Sequence, residues 1–262
     1  MVRKVEIVRV QVSDGKVKKI QDYIAEEIPL HLFINNKLLV TIMCSPSDIA
    51  EFAIGHLLSE GILKSVKEIE KAIIKDKENS CYVTLKQSVN IEERISLVNL
   101  RNRVIPSICG SISPYQFKGK TPYITSELKV KSEIICESVN ALNFKALGFR
   151  QTGALHVAAI YHKDGALIAL AEDVGRHNAV DKAIGIAVTK RVKLEECFLT
   201  SSGRLSGDMT YKAAKVGLPI IASISAALSS GLDAAKETNI TLVGFVRGKR
   251  LNIYTSPERI IF

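Results

Sequence analysis

The sequence predicts an α/β protein, with a three-layer domain over residues 123–262 and a smaller α+β part over residues 1–122. The sheet of the larger domain is expected to be mixed and mainly parallel. In the C-terminal half, apolar runs of strand length alternate with helical patterns, as in sheets covered by helices. In the N-terminal half, two alternating runs flank a tight turn, which favours an antiparallel pair of strands.

The first forty residues have the pattern of β-structure. PLHLFINNKLLVTIMC, at 29–44, predicts two strands joined at Asn35 and Asn36. Asparagine tolerates the positive φ that a two-residue hairpin turn requires. The sequence therefore predicts an antiparallel hairpin here.

An amphipathic helix is predicted next, within SPSDIAEFAIGHLLSEGI. Ser45 is the expected cap, Pro46 suits the first helical position, and Asp48 completes a capping box. Gly61 marks the expected end of the helix.

Charged and apolar residues are interspersed over the following sixty residues. The segments at 68–86 and 89–101 are interpreted as further strands with charged edges. The segment from Pro106 to Pro122 is rich in proline, glycine and serine, and predicts a loop. A loop of this length is a candidate for an internal boundary or a mobile active-site segment.

The C-terminal half alternates between strand and helix patterns. The order is a helix, two strands joined at HKDG, and then helices and strands in turn, closing on a pair of strands; the segments are 133–144, 152–173, 177–190, 197–202, 208–217, 218–225, 226–239 and 241–255. This alternation predicts the three-layer domain.

Composition restricts the class of protein. Hydrophobic residues make up 47% of the 262 residues and charged residues 24%, which is ample for a buried core and an ordinary surface. No apolar run is long enough to span a membrane, and the first residues have no apolar signal-peptide core. We therefore expect a cytoplasmic protein that does not bind membranes.

The net charge of +9, from 36 basic and 27 acidic side chains, favours anionic partners. A nucleic-acid module is disfavoured, because aromatic residues make up only 6% and no basic stripe is present. The five cysteines include no C-x-x-C pair, so neither a metal site nor a disulfide framework is expected. Cys81 and Cys197 precede apolar strand runs, and we expect them in the core.

Polar residues follow three successive strands of the predicted domain. In open α/β sheets, ligands bind beyond the carboxyl ends of the strands. The candidate ligand-binding residues are Glu172, Asp173, Gly175, Arg176, His177 and Asn178 after one strand, Ser202, Gly203, Arg204 and Ser206 after the next, Ser225 after the third, and His156 on the preceding strand.

Two glycine–arginine pairs stand at equivalent strand-to-helix turns, at 175–176 and 203–204. Glycine lets backbone amides approach a ligand, and the guanidinium fork suits a phosphate. A helix that starts directly afterwards adds its positive end. The two turns therefore predict a site for a pyrophosphate or a nucleotide.

Each of these residues also has a plainer interpretation. A single glycine–arginine turn before a helix is commonly a solvated turn. His177 and Asp173 are equally consistent with helix capping, and His156 with a satisfied core histidine. Asp181 is consistent with a surface partner of Lys182.

The chain resembles the formate dehydrogenase accessory sulfurtransferase family, FdhD. The motifs are CSPSDIAEFAIGHLLSEGIL, TGALHVAA, EDVGRHNAVDKAIG, SSGRLSGDM and TLVGFVRGKRLNIYTSPERI, in this order, from about Pro29 to the C-terminus. The resemblance implies a cytidine-deaminase-like fold for the larger domain and a cytoplasmic homodimer. It also implies sulfur transfer from a cysteine desulfurase to a molybdenum cofactor carrying two pterin guanine dinucleotides, for use by formate dehydrogenase. Nucleotides such as GDP are expected to mimic that cargo.

The resemblance also implies a catalytic cysteine in the predicted loop. The family has C-G-x-C-G there, whereas this chain has PSICGSIS, in which Cys109 and Gly110 match the first pair. The second cysteine position falls on Ile112 or, in an offset alignment, Pro106 falls on the first. Cys109 is therefore the expected persulfide carrier, acting alone.

Two other interpretations follow from the same sequence. With one loop thiol, the protein is alternatively a cofactor-binding chaperone that does not transfer sulfur. A deaminase-like hydrolase is disfavoured, because the zinc pattern of H-x-E with P-C-x-x-C is absent.

Overall fold

A computed structural model describes residues 1–98, 103–105 and 121–262 as an α/β protein. The strands are β1 Val2–Gln11, β2 Lys16–Ala25, β3 Ile28–Ile34, β4 Lys37–Cys44, β5 Ile69–Lys75, β6 Ser80–Leu85, β7 Arg103–Ile105, β8 Val130–Lys131, β9 His156–His162, β10 Leu167–Asp173, β11 Cys197–Ser201, β12 Ile220–Ser223, β13 Thr241–Arg247, β14 Arg250–Ile253 and β15 Ile260–Ile261. The α-helices are α1 Ile49–Ser59, α2 Ile91–Val98, α3 Ser132–Lys145, α4 Leu147–Thr152, α5 Arg176–Thr189, α6 Gly207–Lys215 and α7 Ser229–Thr238.

The main sheet has six strands in the order β10-β9-β11-β12-β13-β14. Only the β11–β12 and β12–β13 pairs are parallel, and the other three are antiparallel. The prediction of a mixed sheet is confirmed, but "mainly parallel" is wrong. Short turns join β9 to β10 and β13 to β14, and turns so short can connect only antiparallel strands.

Helices cover both faces of this sheet, as predicted. On one face, apolar residues of α5, α6 and α7 pack against the strands, including Val180, Met209 and Ala235. On the other face, Ile135 and Val139 of α3 pack against a second set of strand residues. The cytidine-deaminase-like topology stays a prediction.

The N-terminal part contains the separate hairpin β1–β2 and a five-stranded sheet in the order β5-β6-β3-β4-β7. Asn35 and Asn36 join β3 to β4 with φ of 46° and 65°, which confirms the predicted turn. The strand predicted at 89–101 is wrong, because α2 occupies most of it. Ile91 and Ile95 are one helical turn apart and both are buried. A helix places both side chains on the same buried face, which favours the helix over a strand.

Helix α1 begins later than the capping pattern predicts. Its N-terminal residue is Ile49, preceded by Asp48 in the left-handed conformation with φ 51° and no side-chain cap. The capping roles predicted for Ser45 and Asp48 are therefore wrong. Ser45 is instead buried, and its backbone N–H and hydroxyl bond to the turn after β10. This tertiary contact replaces the local cap.

Helices α1 and α5 touch through their backbones. A Cβ atom added at Gly55 would overlap the carbonyl oxygen of Asp181, and one added at Gly185 would overlap that of Glu51. Glycine is thus required at this crossing for close approach. The contact joins the N-terminal part directly to the domain that contains the main sheet, and the predicted boundary at 122/123 stays a prediction.

Gly55→Ala is expected to destabilise the protein by roughly 1–3 kcal/mol, because the added methyl group forces two packed helices apart. Thermal unfolding of the purified protein measures the effect. Glu137→Ala, at an exposed position of α3, is the control and should change little. Equal stability of both variants would contradict the close crossing.

Candidate functional site

The carboxyl ends of β10, β11 and β12 lie at the same edge of the main sheet. β9 is antiparallel to both β10 and β11, and β12 is parallel to β11, so the three strands run in one direction. The second and third loops are bonded to each other: Leu205 N–H donates to Ala226 O at 2.9 Å, and Leu228 N–H donates to Leu205 O at 2.9 Å. The three predicted loops are therefore brought together.

Arg176 of the first loop lies across the second loop. A Cβ atom at Gly203 would be 2.8 Å from Arg176 Cβ and 2.9 Å from its Cδ. The absence of a side chain at Gly203 thus makes room for the stem of Arg176. Arg204 follows immediately and is exposed. The two glycine–arginine turns are adjacent in space, as their equivalent positions in the sequence suggest.

Three helices start at this edge, and their N-cap residues make no side-chain cap bond. Helices α5, α6 and α7 follow β10, β11 and β12, and their N-cap residues Gly175, Ser206 and Leu228 make no side-chain cap bond. The first turn of an α-helix has unpaired N–H groups and a partial positive charge. The ends of α5 and α7 add to the positive character that Arg176 and Arg204 give the edge, whereas Asp208 in the first turn of α6 reduces it.

His156 stands beside the second loop. Its Nδ1 lies 3.2 Å from Ser202 Oγ, which also accepts a bond from Val157 N–H at 3.0 Å. Partial burial lowers the pKa of His156, and the nearby charges of Arg176 and Arg204 lower it further. A neutral His156 is therefore expected near pH 7, with one ring nitrogen already facing Ser202.

His177 is buried at the start of α5, with 1% of its surface exposed. Burial, followed by the charges of Arg176 and Lys212, lowers its pKa to about 3. Within the described part of the chain, neither ring nitrogen of His177 has a hydrogen-bond partner, and the same holds for Ser206 Oγ. Buried polar atoms usually have partners, so these three atoms are exceptions within the site.

Glu172 is directed at a helix end. Its carboxylate accepts bonds from Gly148 N–H at 3.2 Å and Phe149 N–H at 3.1 Å, at the start of α4. Burial raises the pKa of Glu172, although these two bonds lower it. Its oxygens thus hold α4 against β10.

Asp173 and Asn178 also bond within the protein. Asp173 is fully buried against Lys182, with 2.7 Å between Oδ2 and Nζ. Asn178 Nδ2 donates to Asp173 Oδ1 and to Met43 O, each at 2.9 Å. The interpretation of Lys182 as a surface partner of Asp181 is wrong, because both side chains are buried and have other partners. Ser225, in the third loop, is half-buried and donates its backbone N–H to Ser223 Oγ at 3.0 Å.

A second polar cluster lies between α1, α5 and α6, and sequence reasoning missed it. Asp181 accepts bonds from His56 Nδ1 at 2.9 Å, Ser59 Oγ at 2.6 Å and Lys212 Nζ at 2.9 Å. Burial alone would raise the pKa of Asp181, but Lys212 and His56 lower it overall. The sequence signal was slight: His56 and Ser59 are one turn apart on an otherwise apolar helix face.

Four cysteines are buried, and burial is the first cause that raises the pKa of each. The pKa of Cys44 is raised to about 12, and those of Cys81 and Cys197 to about 11. The pKa of Cys136 is also raised. Thiolates are the reactive form, so these four thiols are poor nucleophiles at neutral pH. The predicted catalytic residue, Cys109, lies outside the described residues.

Neither a metal cluster nor a membrane-spanning helix is found in the part of the chain that the structure describes. No group of three or more His, Cys, Asp or Glu side chains there could hold a metal ion. No helix among the same residues is long and apolar enough to cross a membrane.

The fold and this edge place the chain among α/β proteins whose polar groups converge beyond the carboxyl ends of the strands. The chain belongs to the FdhD/NarQ family, whose sequence model matches residues 25–261. The resemblance seen in the sequence motifs is thereby confirmed.

Similar proteins cover nearly the whole chain. The sulfur carrier protein FdhD of Sulfolobus acidocaldarius is 39% identical over 99% of this chain and 98% of its own length. The protein of the same name from Bacillus subtilis is 33% identical over 95% and 94%. A crystal structure described as a formate dehydrogenase accessory protein, from Desulfotalea psychrophila, has 25% identity and a TM-score of 0.77, covering 99% of both chains.

Proposed function

We propose that this protein is a sulfur carrier that supports formate dehydrogenase. It takes persulfide sulfur from a cysteine desulfurase on Cys109 and passes it to a molybdenum cofactor in its bis-guanine dinucleotide form. The names of the relatives support the sulfur-carrier role and the accessory role. The cofactor is the substrate of this transfer, and binds at the edge formed by the loops after β10, β11 and β12.

The main observation in support of this binding site is the packing of Arg176 over Gly203, next to Arg204 and the starts of α5 and α7. A guanine dinucleotide has a diphosphate, which suits guanidinium groups and helix N-termini. His177 and Ser206 have polar atoms at this edge that make no hydrogen bond within the described residues. The residues therefore fit a polyanionic nucleotide.

The first chemical step needs one thiolate. Cys109 attacks the outer sulfur of the desulfurase persulfide, the sulfur–sulfur bond breaks, and the desulfurase cysteine leaves as a thiolate. Cys109 then holds the persulfide. An acceptor that supplies an electron pair to the outer sulfur would break the sulfur–sulfur bond and release Cys109 as a thiolate. The choice of Cys109 is supported by the burial and raised pKa of the four described thiols.

The alternative function is a cofactor-binding chaperone without sulfur transfer, which the single cysteine of PSICGSIS favours. Incubation with a cysteine desulfurase and ³⁵S-cysteine separates the two. A sulfur carrier retains label that a reductant releases, whereas a chaperone binds GDP and remains unlabelled.

The proposal includes a homodimer in the cytoplasm. The resemblance supports both, and sedimentation of the purified protein measures the oligomeric state. The proposal also includes sulfurtransferase activity, which has two steps. The test with labelled cysteine measures the first step, the loading of sulfur onto the protein, and release of that sulfur to the cofactor would complete the group transfer.

His177→Asn is expected to weaken GDP binding without abolishing persulfide loading. A histidine with a pKa of about 3 is a weak base at neutral pH, so His177 shapes the pocket and does not activate the thiol. Calorimetry with GDP and labelling with ³⁵S-cysteine measure the two effects separately. Loss of labelling with full GDP affinity would reverse this assignment.

A further inference from the structure

The turn that carries Arg176 is fixed by a buried ion pair. Lys182 Nζ lies 2.7 Å from Asp173 Oδ2, and both side chains are fully buried. The other carboxylate oxygen of Asp173 accepts bonds from Gly175 N–H and Asn178 Nδ2, each at 2.9 Å. Charge-assisted bonds are short and directional. The carboxylate therefore fixes the residue immediately before Arg176.

The same ion pair reaches the segment between β4 and α1. Lys182 Nζ donates to Ser45 O at 2.9 Å and to Ser47 Oγ at 3.2 Å. Ser45 N–H donates to Asp173 Oδ2 at 2.9 Å, and Ser45 Oγ accepts from Val174 N–H at 3.1 Å. The ammonium of Lys182 thus bonds to both chain segments, and Ser45 adds two direct bonds between them.

These bonds go mainly to backbone atoms of the turn and of the β4–α1 segment. A buried ion pair adds little stability compared with an apolar pair of the same size, because both charges lose their water. The bonds of this ion pair fix the backbone path of residues 173–175. An apolar pair of the same size would give similar stability without fixing that path. Arg176 begins directly after that path and lies over Gly203.

We propose that Lys182 is a positioning residue for the ligand site: through Asp173 and Ser45 it holds the turn that aims Arg176 at the ligand. This inference rests on the proposed binding of an anionic ligand at Arg176. Lys182 does not touch the ligand itself, since its ammonium is fully buried among protein groups.

The double variant Asp173→Asn/Lys182→Met tests this inference in the full-length protein. It removes both buried charges together, so neither is left unpaired, and the asparagine keeps one acceptor for the Gly175 amide. We expect GDP affinity to fall at least tenfold. Amide hydrogen exchange at Val174 and Gly175 should become faster, while exchange in β11 stays slow.

The matched control is Arg259→Met. Arg259 is also a buried cation, 4% exposed, and it bonds to Ser126 O at 2.9 Å and Asn239 O at 2.8 Å in another part of the fold. Its loss should lower thermal stability and leave GDP affinity unchanged. Unchanged affinity in the double variant overturns the inference, and so does weaker affinity without faster exchange at Val174 and Gly175.

If the double variant does not fold, Ser47→Ala is the deciding variant. It removes one acceptor of the Lys182 ammonium and should weaken GDP binding severalfold, with faster amide exchange at Val174; wild-type affinity would overturn the inference. The proposed function fails differently: GDP affinity would then be unchanged in Arg176→Ala and Arg204→Ala, and the inference falls with it.

Discussion

Cys109→Ser is expected to lose persulfide labelling by a cysteine desulfurase and to lose activation of formate dehydrogenase. The four described cysteines are buried with raised pKa values. Cys109 lies in a predicted loop, with Lys118 and Lys120 beyond it in the sequence, and nearby positive charge favours the thiolate. Mass spectrometry after trapping of the persulfide measures which thiol carries sulfur.

GDP binding and oligomeric state should stay unchanged in Cys109→Ser, because the proposed nucleotide site uses other residues. Cys136→Ser, in α3, is the matched control and should keep both labelling and activation. Full activation of formate dehydrogenase by Cys109→Ser would rule out sulfur transfer by this protein. The chaperone function would then take its place.

Arg176→Ala and Arg204→Ala should each weaken GDP binding by roughly 1.5–3 kcal/mol, the range for a hydrogen bond to a charged group. This corresponds to about a ten- to 150-fold rise in Kd. Isothermal titration calorimetry measures the change. Lysine at either position should restore little affinity, since it lacks the planar fork of arginine.

Arg150→Ala serves as the control, because Arg150 is an exposed arginine of α4. Its GDP affinity should equal that of the wild type. Wild-type affinity in both site variants would move the nucleotide site away from this edge. A loss confined to Arg204→Ala would leave Arg176 a packing residue over Gly203.

Local pattern was sufficient for much of the fold. The Asn35–Asn36 turn, the helices α3, α5, α6 and α7 and the strands of the main sheet follow from periodicity and turn residues, which act over a few neighbours. The prediction of a strand at 89–101 was wrong. Apolar residues at positions 91 and 95 are compatible with either a helix or a strand, and only their burial in the fold distinguishes the two.

The composition of the site could also be found from the sequence. Polar residues after three consecutive strands, with a glycine–arginine pair after the first two, predicted one edge, because strands that run in one direction end together. The order of those residues along the chain was enough to predict that they meet. It did not predict the role of each residue: Asp173 and Asn178 hold the turn, while Arg204 is exposed.

The sequence by itself determined the family, the α/β class and the loops that meet at the sheet edge, since each depends on local pattern or on motif order. Only the tertiary structure decided that Ser45 serves the turn after β10 instead of capping α1, and that Lys182 is paired with Asp173. The physical reason is distance: Ser45 and Asp173 are 128 residues apart. In the fold, the close crossing of α1 and α5 at Gly55 and Gly185 joins the same two parts of the chain.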